Sequence, residues 1–409
     1  MKTFRLIILS ALIISCTQKA PIDKLVKIDT PTIVTETTYN AMGPYFNSDS
    51  QGNIILSWSE EIDTLRTNIL KFKIFNGVSK KFGKTITVAP SVGMQSHQES
   101  MAKVAKNAKG ILYAIFRIED KNSKRRFAGS VFYSISEDGG NSWSEKRKLV
   151  EEGKSASQSF YDVTLLPDGE LGLCWLDSRK LEKEKDGSTL YFAKSNTNLG
   201  FLNEKPIAGS TCQCCRTDIY VSTNNNINIA FRDIAEGSIR DMYRTVSKDN
   251  GKTFSNPEPM GKDNWKIDGC PHTGPSFADN SKELAVTWFT GADSGVGIFF
   301  KKLTDEISIY ENKMLITTVG RHPQMEALPN GNYYIVYEDY YKVEDQTYNN
   351  IVLHTIKYDG TQTRKVISSY NTKNDHAVLK KSNDNELLIA WVTYVGENSK
   401  IIITKINIK

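Results

Sequence analysis

The stretch at residues 52–58 reads GNIILSW: a turn residue, then an apolar run, then a large aromatic at Trp58. The same order recurs six more times, as GILYAIF at 110–116, GELGLCW at 169–175, NINIAF at 226–231, ELAVTW at 283–288, GNYYIVY at 331–337 and NELLIAW at 385–391. The closing aromatics follow one another at intervals of 49 to 59 residues. Because apolar, β-branched and aromatic residues suit a half-buried pleated surface, each copy predicts a β-strand.

The residues around each copy supply further strands. YDVTLLPDG at 161–169 leads into the third copy, for example, and TLYFAKS at 189–195 follows it. Four antiparallel strands in a repeat of this length are typical of a propeller blade, since one small sheet must bury both faces against neighbours around an axis. The sequence therefore predicts an all-β propeller of seven four-stranded blades, with six blades as the alternative.

The two ends of the chain predict how the ring closes. IIITKINIK at 401–409 supplies a third strand for the last blade and leaves no residues for a fourth. KLVKIDTPTIVT at 24–35 belongs to no repeat and alternates like a strand. Closure removes exposed sheet edges, so we expect this N-terminal segment to complete the last blade. A disordered linker remains the alternative.

Composition is consistent with one large domain and excludes some partners. The chain has 409 residues, 39% of them hydrophobic, and 52 Lys and Arg against 47 Asp and Glu give a net charge of +5. The positive charges are spread along the chain, whereas a nucleic-acid-binding protein concentrates them on one face. We expect a monomer that binds no nucleic acid.

The N-terminus has the features of an export signal. MKTFRLIILSALIISC places basic residues before an apolar stretch that is too short to span a membrane. Ile13, Ile14, Ser15 and Cys16 match the lipobox, so the segment resembles a bacterial lipoprotein signal. That resemblance implies lipidation of Cys16 and anchoring to the outer membrane or cell surface; an ordinary secretory signal is the alternative. The predicted divisions are a signal at 1–16, a tether and closing strand at 17–35, and a propeller at 36–409.

Two turn motifs name a family. SEDGGNSW places Ser136, Asp138, Gly140 and Trp143 at Asp-box spacing, and SKDNGKTF repeats the pattern with Ser247, Asp249, Gly251 and Phe254. SNTNLGF at 195–201 is a degenerate third copy. In such a hairpin the aspartate accepts bonds from turn amides and the aromatic packs back between strands. The chain resembles the sialidase-like (BNR-repeat) propellers over roughly residues 36–409. In that family Asp-boxes are structural, and the substrate site is on the opposite face.

The connections that run to that opposite face contain four of the five histidines. His97, His272, His322 and His376 all precede or begin the first strand of a blade, whereas His354 is inside a third strand. A single histidine in a loop does not by itself indicate a functional site. Four at one structural position predict a functional mouth on the central axis.

The resemblance also implies arginines at this mouth, because sialidases hold the substrate carboxylate with three guanidinium groups. Arg216 and Arg321 begin first strands, and GRHP at 320–323 is similar to the family's R-I-P motif. Arg232 and Arg240 follow a second strand. The candidate substrate-binding residues are therefore Arg216, Arg321, Arg232, Arg240, His97, His322 and His376. A surface ion pair is the alternative role for each arginine.

Other parts of the family's catalytic apparatus are not recognisable. The resemblance implies a tyrosine nucleophile activated by a glutamate, but His376 stands where the tyrosine would be expected. Tyr340, Tyr341 and Tyr348 lie nearby, and no motif selects one of them. Exo-sialidase-type hydrolysis is thus left open, and true sialidases have six blades.

Cysteines suggest a second chemistry. Cys212, Cys214 and Cys215 in CQCCRTD and Cys270 in CPHTGP open the first strands of successive blades. In an exported protein we expect a disulfide from Cys215 or Cys212 to Cys270. The alternative is a thiolate and imidazole site with His272 that would suit copper or zinc.

These observations leave two functions open. The first is an exported lipoprotein that binds or hydrolyses acidic glycans at the mouth of the propeller. The second is a non-catalytic propeller whose Cys/His mouth binds a metal ion or a partner protein.

Overall fold

The structure, a computed structural model, describes residues 26–35, 38–181, 186–197, 200–235, 238–303, 313–370 and 372–408. These residues form seven antiparallel sheets, each built on four strands that we label A to D. The predicted all-β, seven-bladed propeller is confirmed, and the six-bladed alternative is wrong. The predicted signal and Cys16 lie outside the described residues. No helix in the described ranges is long and apolar enough to span a membrane.

Strand bounds follow the repeat. The A strands are Ala41–Ser48, Lys103–Lys106, Gln158–Leu165, Asp218–Val221, Ser276–Asp279, Gly320–Ala327 and Asn374–Asn383. The B strands are Ile54–Glu61, Leu112–Glu119, Leu171–Asp177, Ile227–Arg232, Leu284–Ala292, Tyr333–Val343 and Glu386–Val395. The C strands are Asn68–Asn76, Gly129–Ser136, Ser188–Ser195, Met242–Ser247, Gly295–Leu303, Gln346–Ile356 and Asn398–Ile408.

The outermost D strands are shorter and less regular. In blades 1 to 6 they are Lys81–Phe82 with Ile86–Val88, Arg147–Lys148, Phe201–Thr211, Glu258–Pro259, Met314–Thr317 and Gln362–Val366. One short 3₁₀ turn, Ala89–Ser91, follows the first of them. In blade 7 the outer strand comes from the other end of the chain, because Val26–Ile28 and Thr32–Ile33 both pair with Asn398–Ile408. The N-terminal segment therefore closes the ring as expected.

The apolar core is divided among the interfaces between blades. The described residues form seven hydrophobic clusters, and each joins two neighbouring blades. The aromatics that end the repeat are at most 2% exposed. Among them the indole N–H of Trp58 donates to Glu60 at 2.8 Å and that of Trp175 to Asp177 at 3.0 Å. The interfaces thus bury apolar side chains from two blades each, and the buried indole groups of Trp58 and Trp175 keep a hydrogen-bond acceptor.

Both complete Asp-boxes are turns between a C and a D strand. Asp138 accepts hydrogen bonds from Ser136 Oγ at 2.9 Å and from the Ser142 amide at 2.9 Å. Asp249 makes the equivalent bonds, both at 2.8 Å, with Ser247 Oγ and the Thr253 amide. Residues 198–199 of the degenerate third copy lie outside the described residues.

The aromatic of each Asp-box packs against the preceding blade. The ring of Trp143 meets Phe72 edge-on at 6.1 Å, and that of Phe254 meets Phe192 at 5.0 Å. The boxes therefore lock neighbouring blades together, which is the structural role that the resemblance implies.

Candidate functional site

An irregularity at the start of the A strands positions the central residues. In four blades the register between the A and B strands shifts by one residue, because two A-strand residues, at 43–44, 160–161, 322–323 and 376–377, lie opposite a single B-strand residue. Phe160, His322 and His376 have φ values of 46°, 49° and 50° at these bulges. Left-handed backbone at bulky residues is strained and persists only where its surroundings enforce it. The bulges re-aim these side chains at the axis of the propeller.

The four predicted histidines gather in two pairs on this face. His322 and His376 stack with ring centroids 4.4 Å apart. His97 and His272 lie 6.4 Å apart. The fifth, His354, is buried in a C strand beside Gln362, as expected. The structure thus brings together the histidines that the strand order predicted to meet.

Glu338 holds the first pair. Its Oε1 lies 3.0 Å from His322 Nδ1 and 3.5 Å from His376 Nδ1, and it accepts the His376 amide at 2.6 Å. Glu338 is 1% exposed. A buried carboxylate is stable only when charged or hydrogen-bonded partners surround it, and here two imidazoles and one amide do so.

A second carboxylate joins this group from across the axis. Glu99, in the loop before the second A strand, lies 3.4 Å from His376 Nε2 and 3.2 Å from Arg216 Nη1. Arg216 also donates to the carbonyl of Pro323 at 3.1 Å. We call Glu99, Arg216, His322, Glu338 and His376 the hub cluster. They come from blades 2, 4, 6 and 7.

Electrostatics fix the protonation of the hub cluster. Burial lowers the pKa of His322, but the attraction of Glu338 and their hydrogen bond outweigh it and raise this pKa to about 9. Burial raises the pKa of Glu338, yet the neighbouring imidazoles hold it below its ordinary value. His97 forms no ion pair among the described residues, and burial lowers its pKa despite the attraction of Glu99. At neutral pH the hub therefore contains an ion pair between His322 and Glu338.

One of the three candidate tyrosines contacts the hub cluster. Tyr340 donates its hydroxyl to Glu338 Oε2 at 2.6 Å. Burial, and then the negative charge of Glu338, raise the pKa of Tyr340. Tyr341 and Tyr348 instead stack on each other with centroids 5.8 Å apart. Tyr340 is thus the tyrosine with a glutamate partner, which sequence alone did not select.

The remaining predicted arginines have partners within the protein. Arg232 is 1% exposed and donates to the carbonyls of Arg240 at 2.7 Å and Phe289 at 2.8 Å. Arg240 contacts Cys212 Sγ at 3.1 Å. Arg321 lies over the ring of Phe289 at 4.3 Å. Arg216, Arg232 and Arg240 therefore hold other protein groups in this conformation.

The cysteines differ from the main expectation. None of the five described cysteines forms a disulfide, so the expected bridge from Cys215 or Cys212 to Cys270 is absent from this structure. Cys212 Sγ lies 3.6 Å from the sulfurs of both Cys214 and Cys215. Ligand atoms of Cys214, Cys270 and His272 lie within 4.8 Å of one another. We call Cys212, Cys214, Cys215, Cys270 and His272 the thiol cluster. Its two groups of three residues have the donor atoms and the spacing to hold a metal ion.

Hydrogen bonding makes one thiol of this cluster acidic. Hydrogen bonds from Cys214 and Cys215 outweigh burial and, with Arg240, lower the pKa of Cys212. The same contacts and burial raise the pKa of Cys214. The charge of a thiolate is therefore best accommodated on Cys212, beside the guanidinium.

A cleft of about 470 Å³ opens beside both clusters. It is lined by Gln95, His97, Ser100, Arg117, Arg125, Arg126, Phe127, Ser157, Ser159, Phe160, Leu176, Ser178, Ser188, Gln213, Cys214, Cys270 and His272. His97 links the cleft to the hub cluster, since its Nδ1 accepts the Glu99 amide at 3.0 Å. The described lining contains three arginines, two histidines and no carboxylate.

Comparison with known families gives one match. Residues 67–270 match the family described as BNR repeat-like domain. The chain belongs to the sialidase-like BNR-repeat propellers. No curated protein matches this BNR-repeat propeller in sequence.

Solved structures share the fold of this BNR-repeat propeller at low sequence identity. A protein of unknown function from Dyadobacter fermentans is 12% identical, with a TM-score of 0.54 over 94% of this chain and 100% of its own. The BP39L lectin from Burkholderia pseudomallei is 9% identical, with a TM-score of 0.56 over 88% and 96%. An ulvan lyase bound to -[GlcA(1-4)Rha3S]- is 10% identical, with a TM-score of 0.54 over 89% and 93%.

Sequence reasoning missed both carboxylates of the hub cluster. Glu99 is two residues after His97, and Glu338 directly follows the aromatic Tyr337 that ends the sixth repeat. Glu99 lies in a connection on the predicted functional face, and Glu338 lies within the sixth B strand, paired with Arg321 at the start of the neighbouring A strand. An acidic residue close to a first-strand histidine, or directly after the aromatic that ends a repeat, is the sequence signal that points to them.

Proposed function

We propose that the protein binds an acidic saccharide in the cleft at the mouth of the propeller. The observation that carries the proposal is the charge of the lining, which has three arginines, two histidines and no carboxylate among its described residues. Such a lining favours an anion, and the surrounding serines and glutamines offer hydrogen bonds to hydroxyl groups. The BP39L lectin has the same fold, and so does the ulvan lyase that is bound to a GlcA-containing saccharide. Both are consistent with saccharide binding by a propeller of this kind.

Arg125, Arg126 and Phe127 form the part of the cleft best suited to first contact. All three are exposed, and the Arg126 guanidinium lies over the Phe127 ring at 4.8 Å. A guanidinium binds a carboxylate in a bidentate fork, and an aromatic ring packs on the apolar face of a sugar. The third arginine, Arg117, donates to the carbonyls of Gln158 and Phe127 and shapes the wall.

The proposed activity is binding rather than hydrolysis. A tyrosine nucleophile would need Glu338 to accept its proton, and a general base works best with a pKa near the working pH. The pKa of Glu338 is lower than its ordinary value and the pKa of Tyr340 is higher. Transfer of the tyrosine proton to Glu338 is therefore unfavourable on both accounts. Neither residue lines the cleft.

Isothermal titration with a matched ligand pair tests the proposal. The ligands are a uronic-acid oligosaccharide and the same oligosaccharide with its carboxyl groups reduced. We expect the acidic form to bind at least tenfold more tightly, and R125A/R126A to lose most of this preference. Lys121→Ala in the same exposed loop is the control, since Lys121 does not line the cleft. Equal binding of the two ligands contradicts the proposal, and release of sugar from a fluorogenic sialoside contradicts its non-catalytic form.

We further infer that the protein is exported as a lipid-anchored monomer; the lipobox at residues 13–16 supports the export and the anchor. Labelling with radioactive palmitate in a bacterial host should modify the wild type and leave Cys16→Ser unmodified. Equal labelling, or a soluble wild type in cell fractionation, contradicts this inference. Light scattering of the protein without residues 1–16 tests the monomer.

A second function is favoured by the thiol cluster, which we propose binds copper or zinc. Ligand atoms from Cys214, Cys270 and His272 lie within 4.8 Å of one another at the edge of the cleft. Thiolate and imidazole donors suit soft and borderline metal ions. Elemental analysis of purified protein should find such a metal and lose it in His272→Ala; metal-free protein that takes up neither ion contradicts the proposal.

A further inference from the structure

We infer that the thiol cluster holds two copper(I) ions that share the Cys214 thiolate. The inference rests on the proposed metal-binding function and adds the number of ions, their identity and the bridge. Two three-residue ligand groups carry it. The inner group is Cys212, Cys214 and Cys215, and the outer group is Cys214, Cys270 and His272.

The sulfur spacing in the inner group is that of ligands to one ion. Two thiolates bound at about 2.3 Å to a single metal ion lie about 3.8 Å apart in tetrahedral geometry and slightly farther apart in trigonal geometry. Cys212 Sγ lies 3.6 Å from the sulfurs of Cys214 and Cys215. A disulfide would require about 2 Å. These sulfurs therefore already have nearly the separation that an ion would impose.

The outer group lies at the surface of the same cluster. Cys270 and His272 are exposed in the cleft, whereas Cys212 and Cys215 are 0% and 1% exposed. Cys214 belongs to both groups because it lies between the buried pair and the exposed pair. A thiolate carries more than one lone pair, so one sulfur can bind two ions at once.

The number of donors favours copper(I) over zinc. Among the described residues, each group offers three ligand atoms within 4.8 Å, and no fourth Cys, His, Asp or Glu joins either group. Structural zinc sites are almost always four-coordinate. Soft thiolates select copper(I), for which three donors form a complete set.

Charge favours two ions over one. Four thiolates would carry four negative charges, three of them on the buried Cys212, Cys214 and Cys215, and buried anions are unstable without compensation. Two copper(I) ions remove two of these charges. Arg240, 3.1 Å from Cys212 Sγ, offsets another. On binding, each coordinating thiol releases its proton to solvent, and the ion stays copper(I), so no electron is transferred.

Anaerobic titration of the reduced full-length protein with copper(I), supplied as a complex with a chromogenic chelator, tests the inference. We expect two ions per chain in the wild type, one in Cys215→Ser, one in His272→Ala and none or nearly none in Cys214→Ser. Cys174→Ala is the control and should keep two, since Cys174 lies apart in a B strand beside Thr217. Circular dichroism checks that each variant is folded.

X-ray absorption of the copper-loaded wild type should show copper–copper scattering, because the shared Cys214 sulfur holds the two ions close together. One ion per chain in the wild type, or loss of a single ion in Cys214→Ser, overturns the shared bridge and leaves metal binding standing. Stoichiometric zinc in place of copper overturns the identity of the ions. Uptake of neither metal overturns the metal-binding function itself.

Discussion

The rings of His322 and His376 stack 4.4 Å apart, and the Oε1 atom of Glu338 faces the Nδ1 atom of each. The two imidazoles come from the A strands of neighbouring blades, 6 and 7, and each sits on a bulge with left-handed backbone. A shared buried carboxylate thus ties two blades together at the axis. The strength of this contact between the blades depends on the protonation of His322.

This arrangement predicts that stability depends on pH through His322. Its pKa is raised from 6.5 to about 9 in the folded protein. A raised pKa stabilises the fold fully below pH 6.5, and the contribution disappears as the pH rises through 9, a loss of up to about 3 kcal/mol. The difference in unfolding free energy between the wild type and His322→Gln should therefore shrink over this range, measured by urea denaturation.

His354→Gln is the matched control for this pH dependence. His354 is also a buried histidine, but it faces Gln362 rather than a carboxylate, and burial lowers its pKa. Its difference from the wild type should not shrink between pH 7 and 9. Equal pH profiles for the two variants would show that the pair of His322 with Glu338 is not the cause.

The first Asp-box offers two adjacent glycines that separate backbone strain from packing. Gly139 and Gly140 have φ values of 74° and 93°. A Cβ on Gly139 would meet nothing within 4 Å, whereas one on Gly140 would lie 2.9 Å from Ile86 Cγ2 and 3.2 Å from Phe72 Cζ. We expect Gly139→Ala to lose about 1–2 kcal/mol from left-handed backbone. Gly140→Ala should lose about 1–3 kcal/mol more from overpacking.

Chemical denaturation of both glycine variants measures this difference. Equal losses at the two positions would mean that the interface between blades 1 and 2 gives way around the added methyl group. A smaller loss in Gly140→Ala than in Gly139→Ala contradicts the packing argument altogether.

Removal of the closing strand should weaken the whole ring. A chain that begins at residue 38 lacks Val26–Ile28 and Thr32–Ile33, and it leaves the edge of Asn398–Ile408 unpaired. Val26 also packs into the cluster between blades 6 and 7. We expect a lower melting temperature and concentration-dependent aggregation, because an open edge pairs with other chains. Lys27→Ala, on the exposed side of the same strand, should melt like the wild type.

The thiols should react in an order set by exposure. In metal-free, reduced protein, alkylation followed by mass spectrometry should label Cys270 first, since it is exposed. Cys174 and Cys215 are at most 1% exposed, and burial raises the pKa of both, so they should react last. Rapid labelling of Cys174 would show that blades 3 and 4 separate readily in solution.

The fold was predictable because its signal is repeated. Trp58 and Trp391, at opposite ends of the chain, end the same apolar run and occupy the same buried place in their blades. A pattern present seven times survives local irregularities, such as the bulges in the A strands. The closing strand followed from counting, since the last blade lacked a fourth member.

The site was less predictable because single side chains depend on their surroundings. Strand order predicted that His322 and His376 would approach the axis, and they do. It did not reveal that Arg232 would donate to backbone carbonyls, because carbonyls without a strand partner cannot be read from sequence. The disulfide was expected from a statistical rule about exported proteins, and sulfur positions follow from local backbone geometry.

The pairing of the first and last strands brings the two ends of the propeller together. Val26 and Ile408 are direct cross-strand partners, which places their Cα atoms about 5 Å apart. A linker of a few residues could therefore join them without strain, and new termini could be opened at an exposed turn such as 77–80 in blade 1. Such a circularly permuted chain would keep all seven blades. A tether fused to its new terminus would then leave the propeller at the turn chosen for the opening.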